Sequence, residues 1–186
     1  MPTKAELRSQ LLIKRKARAD RAQTAKQIAE LALSLITDQE TDLGAYLSTM
    51  LEPPTDNLIK ILQKDKNLYF PKVINNELSW FKNPQEFAKG SFNILEPVGE
   101  GQPIEEFSEI TTLFIPAFAV TPSGIRLGKG GGFYDRVFAK LNPKVRKVAI
   151  VFDDEIIEDI PSEPHDKRVD FIVSEKRVIT ITSKVD

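Results

Sequence analysis

The residues best suited to chemistry lie together in one stretch, Arg126-Leu-Gly-Lys129-Gly-Gly-Gly132-Phe-Tyr134-Asp135-Arg136. Four of the nine glycines in the chain, Gly128, Gly130, Gly131 and Gly132, fall within five positions. Glycine adopts positive φ without penalty and lets backbone approach a ligand closely. Consecutive N–H groups in such a loop cradle an anion, and a helix that follows adds the positive end of its dipole. Arg126 and Lys129 supply cations and Asp135 an acid, so the stretch reads as a phosphate site. Two familiar phosphate patterns are absent. No Gly-Lys is followed by Ser or Thr, and a G-x-G-x-x-G run starting at Gly128 would need glycine where Phe133 stands. A glycine run by itself also suits a hairpin or a helix entry without a ligand; the flanking charges favour binding.

The elements that must position this loop follow from periodicity. Thr3 and Glu6 form a capping box that opens a first helix with Leu7, Leu11 and Leu12 on its apolar side. Lys4 and Arg8, four apart, share a face, and Arg15 lies two turns further on near the same side. A second helix is expected from Thr24 to Ile36, with Ile28, Leu31, Leu35 and Ile36 buried. Next come a short strand at Leu43–Leu47, a helix capped by Thr55 or Asp56, and a strand at Leu68–Phe70 stopped by Pro71. A hairpin over Val73–Phe81 turns at Asn75-Asn76. Asn83–Phe107, rich in Pro and Gly, reads as a surface loop. Thr112–Ile115 is a buried strand, and a helix over Phe133–Leu141 follows the glycines. Strands at Lys147–Phe152, Phe171–Val173 and Val178–Ile181 complete the set. Strands alternating with helices indicate an α/β fold: a mostly parallel sheet flanked by helices in a Rossmann-like three-layer arrangement, one domain over residues 1–186. Ligands bind such sheets at the carboxyl ends of their strands.

Composition narrows the function. The 186 residues are 41% apolar and 28% charged with a net charge of −1, so no global field draws the chain to nucleic acid or membrane. No apolar run approaches the ~20 residues that span a bilayer, and there is no hydrophobic signal core. A cytoplasmic monomer acting on a small molecule is expected, without nucleic acid or membrane partners. Cysteine is absent and His165 is the single histidine, which excludes thiol chemistry and a multi-histidine zinc site. A metal here would be a hard cation on carboxylates, magnesium in the first place.

The run from Pro116 through Thr121-Pro-Ser-Gly124-Ile-Arg126 to Arg136 resembles the signature of the 5-formyltetrahydrofolate cyclo-ligase family. Further matches occur in the family's order: Lys4-x-x-Leu7-Arg8, Leu47-Ser-x-x-x-Glu52-x-x-Thr55, Ile94-Leu-Glu96-Pro97 and Pro164-His165-Asp166. The resemblance covers essentially the whole chain. It implies ATP- and magnesium-dependent closure of 5-formyltetrahydrofolate to 5,10-methenyltetrahydrofolate, with ADP and phosphate as the other products. The formyl group is an amide whose oxygen leaves poorly. Phosphorylation of that oxygen lets N10 attack the carbon and phosphate depart.

By this resemblance Lys4 and Arg8 bind ATP, and Arg126 pairs with phosphate. Gly128, Gly130, Gly131 and Gly132 bring N–H groups to the phosphates, with Phe133, Tyr134 and Asp135 beside them. Lys129 and Arg126 are the catalytic cations, Lys129 next to the transferring phosphoryl group and the substrate. Asp135 and Asp166 are the magnesium carboxylates. Leu47, Glu52 and Glu96 contact the folate, as do Phe133 and Tyr134. Trp80, Phe81 and Phe118 are further candidates for an aromatic wall. His165 is assigned a structural role, since the reaction needs no strong base. The family often carries Tyr-Tyr where this chain has Phe133-Tyr134, so a catalytic role for the missing phenol is not expected. Two other classes share some of these features. A regulator could bind ATP or folate without turnover, and an RNA-binding module could use the basic cluster Lys14-Arg15-Lys16.

Overall fold

The computed structural model describes residues 2–90, 94–162 and 167–182. Its first helix, α1 (Lys4–Lys16), starts at the expected capping box: Thr3 N donates to Glu6 Oε2 at 2.7 Å and Glu6 N to Thr3 Oγ1 at 3.3 Å. Helix α2 (Arg21–Leu33) begins and ends three residues before the expected limits. Its first turn is polar and carries no apolar stripe, because Arg21 reaches out to Glu52 O and Ser48 Oγ instead of packing. Strand β1 (Asp42–Gly44) is followed by Ala45, whose N–H still bonds Tyr69 O, before the chain leaves the sheet. Helix α3 (Asp56–Leu62) starts after Thr55. The Thr55 hydroxyl bonds Tyr46 O and does not cap the helix.

Strand β2 (Asn67–Ile74) runs through Pro71 instead of stopping there, and pairs with β3 (Glu77–Lys82) across the Asn75-Asn76 turn. Both turn residues have positive φ, 49° and 64°, as a tight hairpin requires. Pro71 is tolerated because its missing N–H has no strand to serve. Opposite it, Trp80 uses both backbone groups on Gln102, at 2.8 and 2.9 Å, and on the other side β1 has already ended. The expected surface loop after β3 contains a small antiparallel pair, β4 (Phe87–Lys89) and β5 (Leu95–Pro97). Strand β6 (Thr112–Pro116) leads into a second small pair, β7 (Ala119–Val120) with β8 (Arg126–Leu127), and the glycine loop leaves β8. Helix α4 (Phe133–Lys140), β9 (Arg146–Ile150), β10 (Phe171–Val173) and β11 (Val178–Thr180) complete the described chain.

The main sheet has the order β11-β10-β9-β6-β1-β2-β3. The five inner strands are parallel, and β3 and β11 are antiparallel edges. Alternation along each strand divides the core into two layers. Leu68, Phe70, Phe114, Val148 and Ile150 pack under Ile28, Ala32, Leu58 and Leu62 of α2 and α3. Tyr69, Leu113, Ile115 and Ala149 face Val137 and Phe138 of α4. This is the expected three-layer α/β arrangement. The chain moves outward from β1 to β2 in one direction and from β6 through β9 to β10 in the other. The strand order therefore reverses between β1 and β6, and a crevice must open at their carboxyl ends.

Helix α1 belongs to neither layer. It lies on the β7–β8 pair, where Leu11 packs with Ala119, Leu127 and Ile160. Its last turn is anchored by a buried ion pair. Arg15 Nε donates to Glu155 Oε1 at 2.6 Å, and Arg15 Nη2 donates to Glu155 Oε2 at 2.8 Å and to Ala117 O at 2.6 Å. Burial pushes the Glu155 carboxyl up, and the Arg15 hydrogen bonds and charge oppose that rise. Arg15 is thus a core residue, and the basic cluster around it is not a continuous solvated face.

Removing one partner leaves the other charge buried without compensation. Glu155→Gln should cost about 3–5 kcal/mol in urea unfolding, and an Arg15→Met, Glu155→Leu double variant should recover much of that loss. A loss below about 1 kcal/mol for Glu155→Gln would contradict the anchoring role.

Candidate active site

The crevice at the β1/β6 reversal is a cleft of about 590 Å³. Tyr46 and Leu47 enter it as the chain leaves β1, and Pro116 as it leaves β6. α1 closes one side with Lys4 and Arg8, the glycine loop and the start of α4 form the floor, and β2 with β5 forms the far wall. Among the described residues, the expected binding and catalytic positions line this cleft: Lys4, Arg8, Leu47, Glu52, Glu96, Arg126, Gly128, Lys129, Gly130, Gly131, Gly132, Phe133, Tyr134 and Asp135; of the further aromatic candidates, Trp80, Phe81 and Phe118 do not. Asp166 and His165 lie outside the described residues.

The glycine loop needs its glycines for two physical reasons. Gly130 and Gly132 have φ of 100° and 64°, where a side chain is strained. A Cβ on Gly131 would meet the Phe133 ring at 2.5 Å. Gly132 is the N-cap of α4 and offers no side-chain cap, so the N–H groups of that helix's first turn are left to another acceptor. Arg8 holds the loop from above, its Nε donating to Gly128 O at 2.7 Å. Arg15, two turns on, fixes the same helix to the strand ends.

Arg126 is the most enclosed cation of the site, its side chain 4% exposed. It pairs with Asp135 Oδ1 at 3.1 Å, lies over the Tyr134 ring at 5.6 Å, and keeps a buried Nε without a partner. Glu52 is buried after a turn in which Thr49 N donates to its Oε2 at 2.8 Å. Lys129 Nζ stands 2.8 Å from Glu52 Oε1, off the direction of an aligned hydrogen bond, so the contact is an ion pair. This pair joins the tip of the glycine loop to the β1 loop. Beside it the Tyr46 hydroxyl is buried and unpartnered, and burial, followed by the Glu52 charge, pushes its pKa well up. The hydroxyl is therefore a neutral donor.

Of the aromatic candidates, Phe133 and Tyr134 line the cleft, whereas Trp80 and Phe81 are core residues and Phe118 packs with α1. Phe70, Tyr46, Thr49 and Lys72 were not foreseen at the site. Tyr46 directly precedes Leu47 at a strand end, which is a usable signal. Lys72 reaches the cleft only because β2 continues past Pro71.

The model of the 5-formyltetrahydrofolate cyclo-ligase family matches residues 1–175, and the chain belongs to that family. It is similar to the 5-formyltetrahydrofolate cyclo-ligase of Mycolicibacterium smegmatis, with 35% identity over 136 residues, covering 73% of this chain and 68% of that one. The Escherichia coli protein of the same name is 29% identical over 143 residues, covering 73% and 79%. Among solved structures, the 5,10-methenyltetrahydrofolate synthetase of Aquifex aeolicus superposes with a TM-score of 0.81 at 28% identity, covering 98% of this chain and 95% of that one. The synthetase from Mycoplasma pneumoniae shares the fold, with a TM-score of 0.73 at 22% identity over 93% and 99% of the two chains.

The orphaned Tyr46 hydroxyl gives a direct test of a site held ready for a polar ligand. Tyr46→Phe should leave the ligand-free protein as stable as the wild type or more stable, by up to about 1–3 kcal/mol in urea unfolding. A loss of more than about 1 kcal/mol would mean that the hydroxyl is satisfied within the protein.

Proposed function

We propose that this chain closes 5-formyltetrahydrofolate to 5,10-methenyltetrahydrofolate at the expense of ATP, with magnesium, releasing ADP and phosphate. One observation carries the reading: an enclosed arginine with an unpartnered Nε, a lysine and a glycine loop converge on one cleft beside the buried carboxylate of Glu52. The first group suits a triphosphate, and the carboxylate suits the N–H-rich edge of a pterin.

The residues fit a nucleotide. Lys4, Arg8 and Arg126 supply positive charge, and Gly128 to Gly132 with the first turn of α4 supply N–H donors. Phe133 and Tyr134 border the same region. They also fit magnesium. Asp135 faces the cleft, and one or two carboxylates completed by phosphate oxygens and water is ordinary magnesium coordination; Asp166 is proposed as the second carboxylate. Bound there, magnesium would spread the charge of the phosphates.

In the proposed reaction the γ-phosphoryl group passes to the formyl oxygen. N10 then attacks the formyl carbon, the carbon–oxygen bond breaks, phosphate leaves with that oxygen, and N10 gives up its proton. The protein has little covalent chemistry to do. Arg126 and Lys129 offset the charge on the transferring group, which is worth most in an enclosed site. Glu52, with Leu47, orients the folate so that N10 sits against the carbon it attacks, and Glu96 lies further along the same substrate. When an anion arrives, Lys129 exchanges the Glu52 carboxylate for phosphoryl oxygens. That exchange frees Glu52 for the pterin and couples the two substrates.

Lys129 is 53% exposed but its partner Glu52 is buried, so Lys129→Ala should lower the unfolding midpoint while the chain stays folded. Its turnover of 5-formyltetrahydrofolate with MgATP should fall by at least about 10²-fold. Turnover near wild type in that variant would remove Lys129 from the mechanism.

A further inference from the structure

The cleft does not end at the phosphate region. Phe70 packs with α2 and α3, and Lys72, two residues on, projects on the same side of the sheet, opposite α4. The cleft therefore passes over the end of β2, from the glycine loop and α4 on one face to Lys72 on the other. Beside Lys72 this second arm is apolar, lined by Phe70, Leu95 and Pro97, while Val73 and Leu78 line the cleft on the α4 face. Leu95 is 49% exposed, unusual for a large apolar side chain in a concave site. Lys72 is only loosely held. Its Nζ is 3.6 Å from Glu96 Oε2 and 3.5 Å from Pro97 O, both long for a charge-assisted contact. Glu96 is seated by Gly90, where a Cβ would meet its carboxyl carbon at 2.1 Å.

We infer that this arm binds the benzoyl-glutamate tail of the folate, with Lys72 as the residue that recognises a tail carboxylate. The inference rests on the folate reading above. If the formyl end meets the phosphoryl group at the glycine loop, the rest of the molecule must leave along the remaining protein-lined direction. That direction offers apolar surface for a benzoyl ring and then a cation for the carboxylates beyond it. Glu96 neutralises Lys72 while the arm is empty and repels an incoming carboxylate, so it weakens tail binding. Lys72 is thus a specificity-determining residue, remote from the reacting atoms.

The test compares two substrates in the full-length protein: 5-formyltetrahydrofolate and the same compound with its glutamyl carboxylates capped as amides. In the wild type the capped compound should show the higher KM. Lys72→Met should raise KM for the uncapped substrate roughly tenfold, the size of one charge-assisted hydrogen bond, and so collapse the KM ratio of the two compounds. Lys72→Arg should restore most of the ratio, and Glu96→Gln should widen it. A ratio that survives Lys72→Met, or a wild type indifferent to capping, would overturn the tail site while leaving the ligase reading intact. A wild type that turns over neither compound with MgATP would overturn both.

Discussion

The geometry of the site depends on a buried salt bridge outside it. Arg15, in the last turn of α1, is bound by both oxygens of Glu155 and by the carbonyl of Ala117, just after β6. Neither charge is exposed, so each depends on the other. Leu7 and Leu11 give the helix its apolar contacts, and the buried pair fixes its last turn to the end of the sheet. Because it is fixed there, its first two turns project Lys4 and Arg8 over the glycine loop, and Arg8 holds the Gly128 carbonyl. Pairs of this kind add little net stability compared with apolar packing, but they strongly penalise alternative positions. Here that penalty falls on every placement of α1 that leaves the cleft open.

A common pattern runs through the cleft. Arg126 rests on Asp135, Lys129 on Glu52 and Lys72 on Glu96. Each cation stands beside an internal carboxylate that a more strongly bound anion can replace. This arrangement limits the cost of concentrating positive charge in an enclosed space within a chain of net charge −1. In the proposed function it would make binding an exchange of partners. The carboxylates released from their lysines and arginine become available for metal or for the polar edge of an organic substrate.

Much of this was legible in the chain. The glycine run with Arg126 and Lys129 pointed to the place where the cleft lies, and all of these residues line it. The alternation of strands and helices gave the sheet and its layers, and Thr3 with Glu6 marked the start of α1. Other features were hidden because they depend on distant partners. Arg15 resembles any basic helix residue until Glu155, 140 positions away, comes to meet it. Pro71 looks like the end of a strand, yet neither neighbour asks for its N–H. Lys72 lies beyond that proline, and its place in the cleft follows only from the continued strand. The β7–β8 pair is two residues on each side, too short for periodicity to reveal.

The most direct measurement is formation of the conjugated methenyl product, followed by absorbance when the purified protein meets 5-formyltetrahydrofolate. Product should accumulate only when both ATP and magnesium are present, with one ADP released per product formed. Product that forms without ATP, or a folded protein that binds ATP and forms none, would contradict the account.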